Sequence, residues 1–153
     1  HVGNAAAVAA ETDPLVVAHA ADAPAISGAE PLLKADPDDR PAPVDVDLEV
    51  VDGVRFRTHA GPMDVVATPG HTPGHVSLHV PEHGLLLAAD AVTATDDGDG
   101  RELAPPNPEF TPDGETARES VARLADLDVD RVVAYHGGIV AATGADLRAL
   151  VDD

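Results

Sequence analysis

A chain of 153 residues with 28 acidic against 9 basic side chains carries a formal net charge of −19, and its length suits one ordinary domain. That charge excludes functions built on neutralising phosphates or anionic lipid, which need clustered Lys and Arg. The chain has no Cys, which excludes disulfides and thiolate chemistry, and no apolar run approaches the ~20 residues of a membrane-spanning helix.

Phe56, Phe110 and Tyr135 are the only aromatics, so Val, Leu and Ala must build the core. Asn4 precedes an Ala-rich run to Glu11, which predicts a helix capped by Asn4. Leu15–Ala18, after Asp13-Pro14, predicts a short buried strand. Residues 24–43 are broken by Pro and Asp and predict a loop with at most one short helix. Val46, Leu48 and Val50 then alternate with Asp45, Asp47 and Glu49. With Asp52-Gly53 as a two-residue turn into Val54–Arg57, a β-hairpin is expected here. Asp64–Thr68 reads as a strand stopped by Pro69-Gly70.

Val76, Leu78 and Val80 share one face of the next strand, opposite His75, Ser77 and His79; His79 and His83 are expected at the surface. Leu85–Ala89 is apolar throughout and is expected to be buried on both faces. Residues 94–110 read as a polar loop. Thr111-Pro112 offers a capping hydroxyl and a first-turn Pro for a helix whose stripe is Ala117, Val121, Leu124 and Ala125. Arg131–Tyr135 reads as a strand, and Thr143 caps a last helix that buries Leu147, Leu150 and Val151. Strands in hairpins first, then alternating with helices, predict a mixed sheet covered by helices in a single domain over 1–153.

His71, Asp90 and His136 each fall just beyond the carboxyl end of a predicted strand, where sheets of this kind place their ligands. Imidazole and carboxylate suit zinc and related divalent ions. An acid placed directly after five apolar residues also needs a partner or a cation, because burying a lone carboxylate is costly. At this point a metal site and a set of structurally paired polar residues stand side by side. Ser77 and Ser120 have no His–Asp arrangement around them, which disfavours serine catalysis. Pro73-Gly74 keeps His71 and His75 from clamping an ion as helical neighbours.

The octapeptide Thr68-Pro69-Gly70-His71-Thr72-Pro73-Gly74-His75 resembles the T-P-G-H-T-x-G-H segment of metallo-β-lactamase fold hydrolases of the glyoxalase II type. Leu87-Ala88-Ala89-Asp90 is similar to the station of the bridging aspartate, with Ala89 in place of the usual Gly. Ala134-Tyr135-His136-Gly137-Gly138 is similar to the final G-H-G or G-H-E segment, with Tyr135 in place of Gly. The stations come in family order, 19 residues from His71 to Asp90 and 46 from there to His136. His1-Val2-Gly3-Asn4 resembles only the tail of the family's first motif, H-x-H-x-D-H. On that resemblance the first two His, the Asp and the opening strands have no counterparts here.

The resemblance implies an αββα sandwich (α+β, mixed sheets flanked by helices) that lacks its N-terminal part. It also implies two zinc ions in a complete site, with iron or manganese as substitutes. His71 would bind the first metal, Asp90 would bridge both as the catalytic carboxylate, and His1 and His136 would bind the second. His75 and Thr72 are expected to orient ligands from behind, with simple structural burial as the alternative for His75. The activity implied is hydrolysis of an ester, thioester or related bond by a metal-activated water. Two alternatives remain at this stage: a mononuclear-iron persulfide dioxygenase-like oxidoreductase, and a non-catalytic domain with an incomplete site.

Lys34 is the only lysine and Asp dominates the acids, a texture similar to that of haloarchaeal cytosolic proteins. A small-molecule substrate, a cytoplasmic location and no nucleic-acid or membrane partner are expected. Self-association through an uncovered sheet edge is a further expectation.

Overall fold

The computed structural model describes residues 2–33, 40–96, 98 and 100–152. Their contacts divide into two compact units, His1–Val51 and Asp52–Asp153. In the first, helix α1 (Ala5–Thr12) follows from its run of Ala, the best helix former. It starts after Asn4, although the Asn4 side chain makes no capping bond. Strand β1 (Val17–His19) pairs in parallel with β2 (Leu48–Val50), and a short helix, α2 (Ala23–Ile26), lies between them in sequence. The expected burial of the first strand is not found: Leu15 and Val17 are exposed.

The second unit is built on six strands. Strands β3 (Arg55–Thr58), β4 (Gly61–Ala67), β5 (Val76–Val80) and β6 (Leu85–Ala89) form an antiparallel meander. Strand β9 (Arg131–Ala134) joins β6 in parallel and β10 (Gly138–Val140) closes the other edge, giving the order β10-β9-β6-β5-β4-β3. The mixed sheet is as expected; the hairpin across Asp52-Gly53 is not. That turn is tied to β4 instead. The Asp52 carboxylate accepts the Ala67 N–H at 2.7 Å, and Gly53, at φ 79°, donates to the Val65 carbonyl at 2.9 Å.

The crossover from β6 to β9 holds a second surprise. Where the sequence reads as loop, β7 (Thr93–Asp96) and β8 (Arg101–Ala104) pair as a hairpin. Helix α3 (Gly114–Leu124) follows, capped by Asp113 rather than Thr111. The Asp113 carboxylate accepts the Thr116 N–H at 3.0 Å, a better partner for a helix N-terminus than a hydroxyl because it also carries charge. Helix α4 (Gly144–Ala149) opens at Thr143, whose N–H and hydroxyl both donate to Asp146 at 2.7 Å.

Leu86, Ala88, Val121, Leu124, Val132 and Leu147 form the heart of a core in which α3 and α4 cover one face of the sheet. Each fully buried Leu contributes about 1.5–3 kcal/mol. On the opposite face Leu85 and Leu87 are only half-buried, so β6 is not enclosed on both sides as expected. The faces of β5 are likewise reversed: Ser77 and His79 are buried while Val76 and Leu78 are half-buried. Inward hydrogen bonds explain this. Ser77 Oγ donates to the Ala88 carbonyl at 3.2 Å, and His79 Nε2 lies 3.1 Å from the Asp128 carbonyl. His83 is exposed, as expected. Among the described residues no helix is long and apolar enough to cross a membrane.

Candidate metal centre

The chain leaves β4 through Thr68-Pro69-Gly70 and presents His71. Gly70 has φ 128°, and a Cβ there would sit 2.6 Å from the backbone of Ala117 in α3. Helix and loop can approach this closely only because that atom is absent. Three further bonds fasten the approach: Ser120 Oγ to the Pro69 carbonyl at 2.8 Å, Arg123 Nη1 to the Ala67 carbonyl at 3.0 Å, and the Asp113 N–H to the Gly70 carbonyl at 3.3 Å. Thr72 serves the loop through its main chain, its carbonyl accepting the N–H groups of Gly70 at 3.2 Å and His75 at 3.3 Å.

Asp90 follows β6 across a tight turn in which the Ala91 N–H donates to the Ala88 carbonyl at 3.1 Å. The register with β9 shifts between Leu87 and Ala89, and Ala89 stands at φ 55°. Such a bulge at a strand end re-aims the side chain beyond it. His136 follows β9. Its carbonyl accepts the Ala94 N–H from β7 at 2.8 Å, and a Cβ on Gly137 (φ 94°) would lie 1.9 Å from the Ala94 carbonyl oxygen. The hairpin is thereby locked against the turn that carries His136.

These three strand ends bring their side chains together. His71 Nε2 lies 3.6 Å from Asp90 Oδ2, and His136 Nε2 lies 3.5 Å from Asp90 Oδ1. Each carboxylate oxygen therefore faces its own imidazole. The Asp90 side chain is 8% exposed, His71 19% and His136 62%. Both separations exceed the ~2.7–3.2 Å of a hydrogen bond. Two donors held at ~2.0–2.2 Å around a tetrahedral ion stand ~3.3–3.6 Å apart. The spacing thus suits a divalent ion between each pair, with Asp90 shared. Among the described residues no group of three or more His, Asp or Glu side chains is placed to hold a metal ion. His1 lies outside the described residues.

His75 stands behind this set. Its Nε2 accepts the Asp90 N–H at 3.1 Å, and its Nδ1 lies 2.8 Å from Thr68 Oγ1 and 3.0 Å from the Thr68 carbonyl. Its ring meets that of His71 edge-on, with centroids 5.7 Å apart. Both nitrogens are therefore engaged with protein groups. Thr68 and Ser77, 3.1 Å apart through their hydroxyls, extend the network. As functional residues, Ser77 reads from the sequence only as a candidate nucleophile and Thr68 only as part of the octapeptide, although three polar residues at alternate positions from His75 to His79 are a usable sign of a hydrogen-bonded inner face.

The profile of a family described as the metallo-beta-lactamase superfamily matches residues 1–136. A probable metallo-hydrolase of Bacillus subtilis is 40% identical over 91 residues, 55% of this chain and 34% of that protein. A hydroxyacylglutathione hydrolase of Rhizobium meliloti is 37% identical over 107 residues, 70% of this chain and 38% of that protein. The chain therefore spans little more than a third of the length of these relatives. An archaeal metallo-beta-lactamase superfamily protein from Sulfolobus tokodaii superposes with a TM-score of 0.70 at 19% identity, over 99% of this chain and 62% of that one. A metallo-beta-lactamase from Cronobacter sakazakii gives 0.70 at 24% identity, over 99% and 64%. These two share the fold.

Proposed function

Since this chain belongs to the metallo-beta-lactamase superfamily, we propose that it is a metal-dependent hydrolase acting on an ester, thioester or related bond, with His71, Asp90 and His136 among its metal ligands. The observation that carries the reading is the buried Asp90 carboxylate with one imidazole opposite each oxygen at 3.5 and 3.6 Å. In this assignment His71 holds the first ion, Asp90 bridges as the catalytic carboxylate, and His1 and His136 hold the second. Zinc is the proposed occupant, two ions in a complete site, with iron or manganese as substitutes. When bound, the metals supply an activated water and polarise the scissile carbonyl. The chain's own residues then act by placement: the α3-braced loop fixes His71, the bulge aims Asp90, and His75 holds the Asp90 main chain.

The relatives described as hydroxyacylglutathione hydrolases support acyl-glutathione among the first substrates to test. The charge of −19 supports a small molecule over a nucleic acid or a membrane surface. It also supports a salt-rich cytoplasm as the working medium, since molar salt shrinks the Debye length to ~3 Å and screens self-repulsion. A thermal midpoint that climbs in molar potassium chloride is the expected outcome; a flat response removes that part of the proposal. Self-association is read by light scattering in the same salt.

Elemental analysis after zinc loading, beside hydrolysis of a thioester and ester panel, tests the activity. Bound zinc with turnover is expected, both falling by more than ~100-fold in Asp90→Asn, since even outer-shell changes cost 10–100-fold. A folded chain that takes up no zinc overturns the reading. Iron with oxygen uptake on a persulfide turns it to an oxidoreductase.

A further inference from the structure

We propose that His75, Thr68 and Ser77 form a one-way hydrogen-bond relay that clamps the Ala88–Asp90 turn and thereby aims Asp90, so that all three are positioning residues. What Asp90 is aimed at rests on the metal reading above; the clamp itself does not.

The direction of the relay follows from the groups. An imidazole nitrogen that accepts a hydrogen bond carries no proton, so His75 Nε2, which takes the Asp90 N–H at 3.1 Å, leaves the ring proton on Nδ1. That Nδ1–H points at Thr68, with Oγ1 at 2.8 Å and the carbonyl at 3.0 Å. A hydroxyl that accepts can pass on its own proton. Thr68 Oγ1 donates to Ser77 Oγ at 3.1 Å, and Ser77 Oγ donates to the Ala88 carbonyl at 3.2 Å. Each hydroxyl accepts once and donates once, and the chain of bonds has only this direction. Thr68 is 1% exposed, Ser77 0% and His75 9%, so water does not compete for these groups.

The relay begins on the N–H of Asp90 and ends on the C=O of Ala88, the two peptide groups that flank Ala89. Ala89 has φ 55°, in the left-handed region that a residue with a Cβ adopts at a cost. From the other side the Ala89 carbonyl accepts the Tyr135 N–H at 3.0 Å. A strained residue persists only where its surroundings over-determine it. Here the relay from β4 and β5 and the bond from β9 do so together, and the conformation they enforce points the Asp90 carboxylate between His71 and His136.

The first test needs no variant and no metal. Long-range nitrogen–proton correlation on the apo chain is expected to show His75 protonated on Nδ1; a proton on Nε2 overturns the relay. Amide hydrogen exchange then reads the clamp. Thr68→Val is expected to speed exchange at Asp90 by at least about tenfold with β3 and β4 unchanged, and Thr68→Ser to restore protection. Ser77→Ala gives the same test should Thr68→Val not fold. Because Gly takes positive φ freely, the loss caused by Thr68→Val shrinks severalfold in an Ala89→Gly background. An equal loss in both backgrounds, or an unchanged Asp90 amide, overturns the proposal. Zinc titration of the same variants, expected to weaken about 10–100-fold, separates the two readings: a wild-type chain that binds no zinc sinks the metal site, while tautomer and exchange still judge the relay.

Discussion

The two imidazoles that flank Asp90 are delivered by similar devices and supported very differently. Each follows a strand, and each relies on a Gly at positive φ that lets another backbone come close, Gly70 against Ala117 and Gly137 against Ala94. What comes close to His71 is helix α3, buried in the main core through Val121 and Leu124 and fastened to the loop by three hydrogen bonds. What comes close to His136 is the two-stranded hairpin β7–β8, whose Ala94 N–H donates to the His136 carbonyl. The hairpin meets that core through partly buried residues, Ala94 and Leu103. One arm of the site therefore rests on a helix anchored by fully buried side chains and the other on a partly buried hairpin, where low-energy openings are expected to concentrate. The exposures, 19% for His71 and 62% for His136, follow the same division.

Alanine at each His is the strongest way to break this contrast. His71→Ala is expected to cost zinc affinity by more than ~100-fold and also to lower the thermal midpoint by a few degrees, because the ring is mostly buried and packs on His75. His136→Ala is expected to cost zinc affinity alone, its midpoint staying within about a degree of wild type, as for other exposed positions. Calorimetric titration and thermal melts on both variants decide it, and equal losses of stability would erase the distinction. Gly137→Ala probes the weaker arm directly. A Cβ 1.9 Å from the Ala94 carbonyl forces the hairpin away, at about 1–3 kcal/mol. Faster amide exchange confined to residues 93–96 and 101–104 is expected; loss of protection in α3 as well would mean that the two arms are one unit.

The parts of this arrangement that were legible in the sequence are local ones. Asp64–Thr68, Leu85–Ala89 and Arg131–Tyr135 announce strands by composition, and His71, Asp90 and His136 stand out because each follows one directly. The parts that were not legible depend on distant partners. Ser77 and His79 look like the solvent face of β5 until Ala88 and Asp128, 11 and 49 residues away, satisfy them. Asp52-Gly53 looks like a hairpin turn until Ala67 and Arg123 engage the Asp52 carboxylate. The β7–β8 hairpin, rich in Gly and Asp along its course, carries little apolar alternation, and it is held in part by the turn at His136. The brace of the exposed arm was thus the least legible element of the site.

The smallest expected effect lies at the start of α3, in its cap beside the His71 loop. The Thr116 N–H, and after it the Thr116 hydroxyl, donate to the Asp113 carboxylate and hold its pKa below the usual carboxylate range. A depressed folded pKa means that the charged cap contributes fully above the unfolded value near ~3.9. Its contribution disappears as pH falls through the folded value, so the sensitive window lies below about pH 4. Asp113→Asn keeps an acceptor for the Thr116 N–H without the titrating charge. Its melting temperature is expected to sit slightly below wild type at neutral pH and to fall less steeply between about pH 4 and 2. Some acid slope should survive in the variant, because Asp146 is held down in the same way by the Thr143 N–H and hydroxyl at α4. Because α3 presses on Gly70 and not on Gly137, any loosening at acid pH should reach His71 first. Parallel acid curves for the two proteins, or equal broadening of the His71 and His136 ring signals, would show that the cap does not support the loop it lies beside.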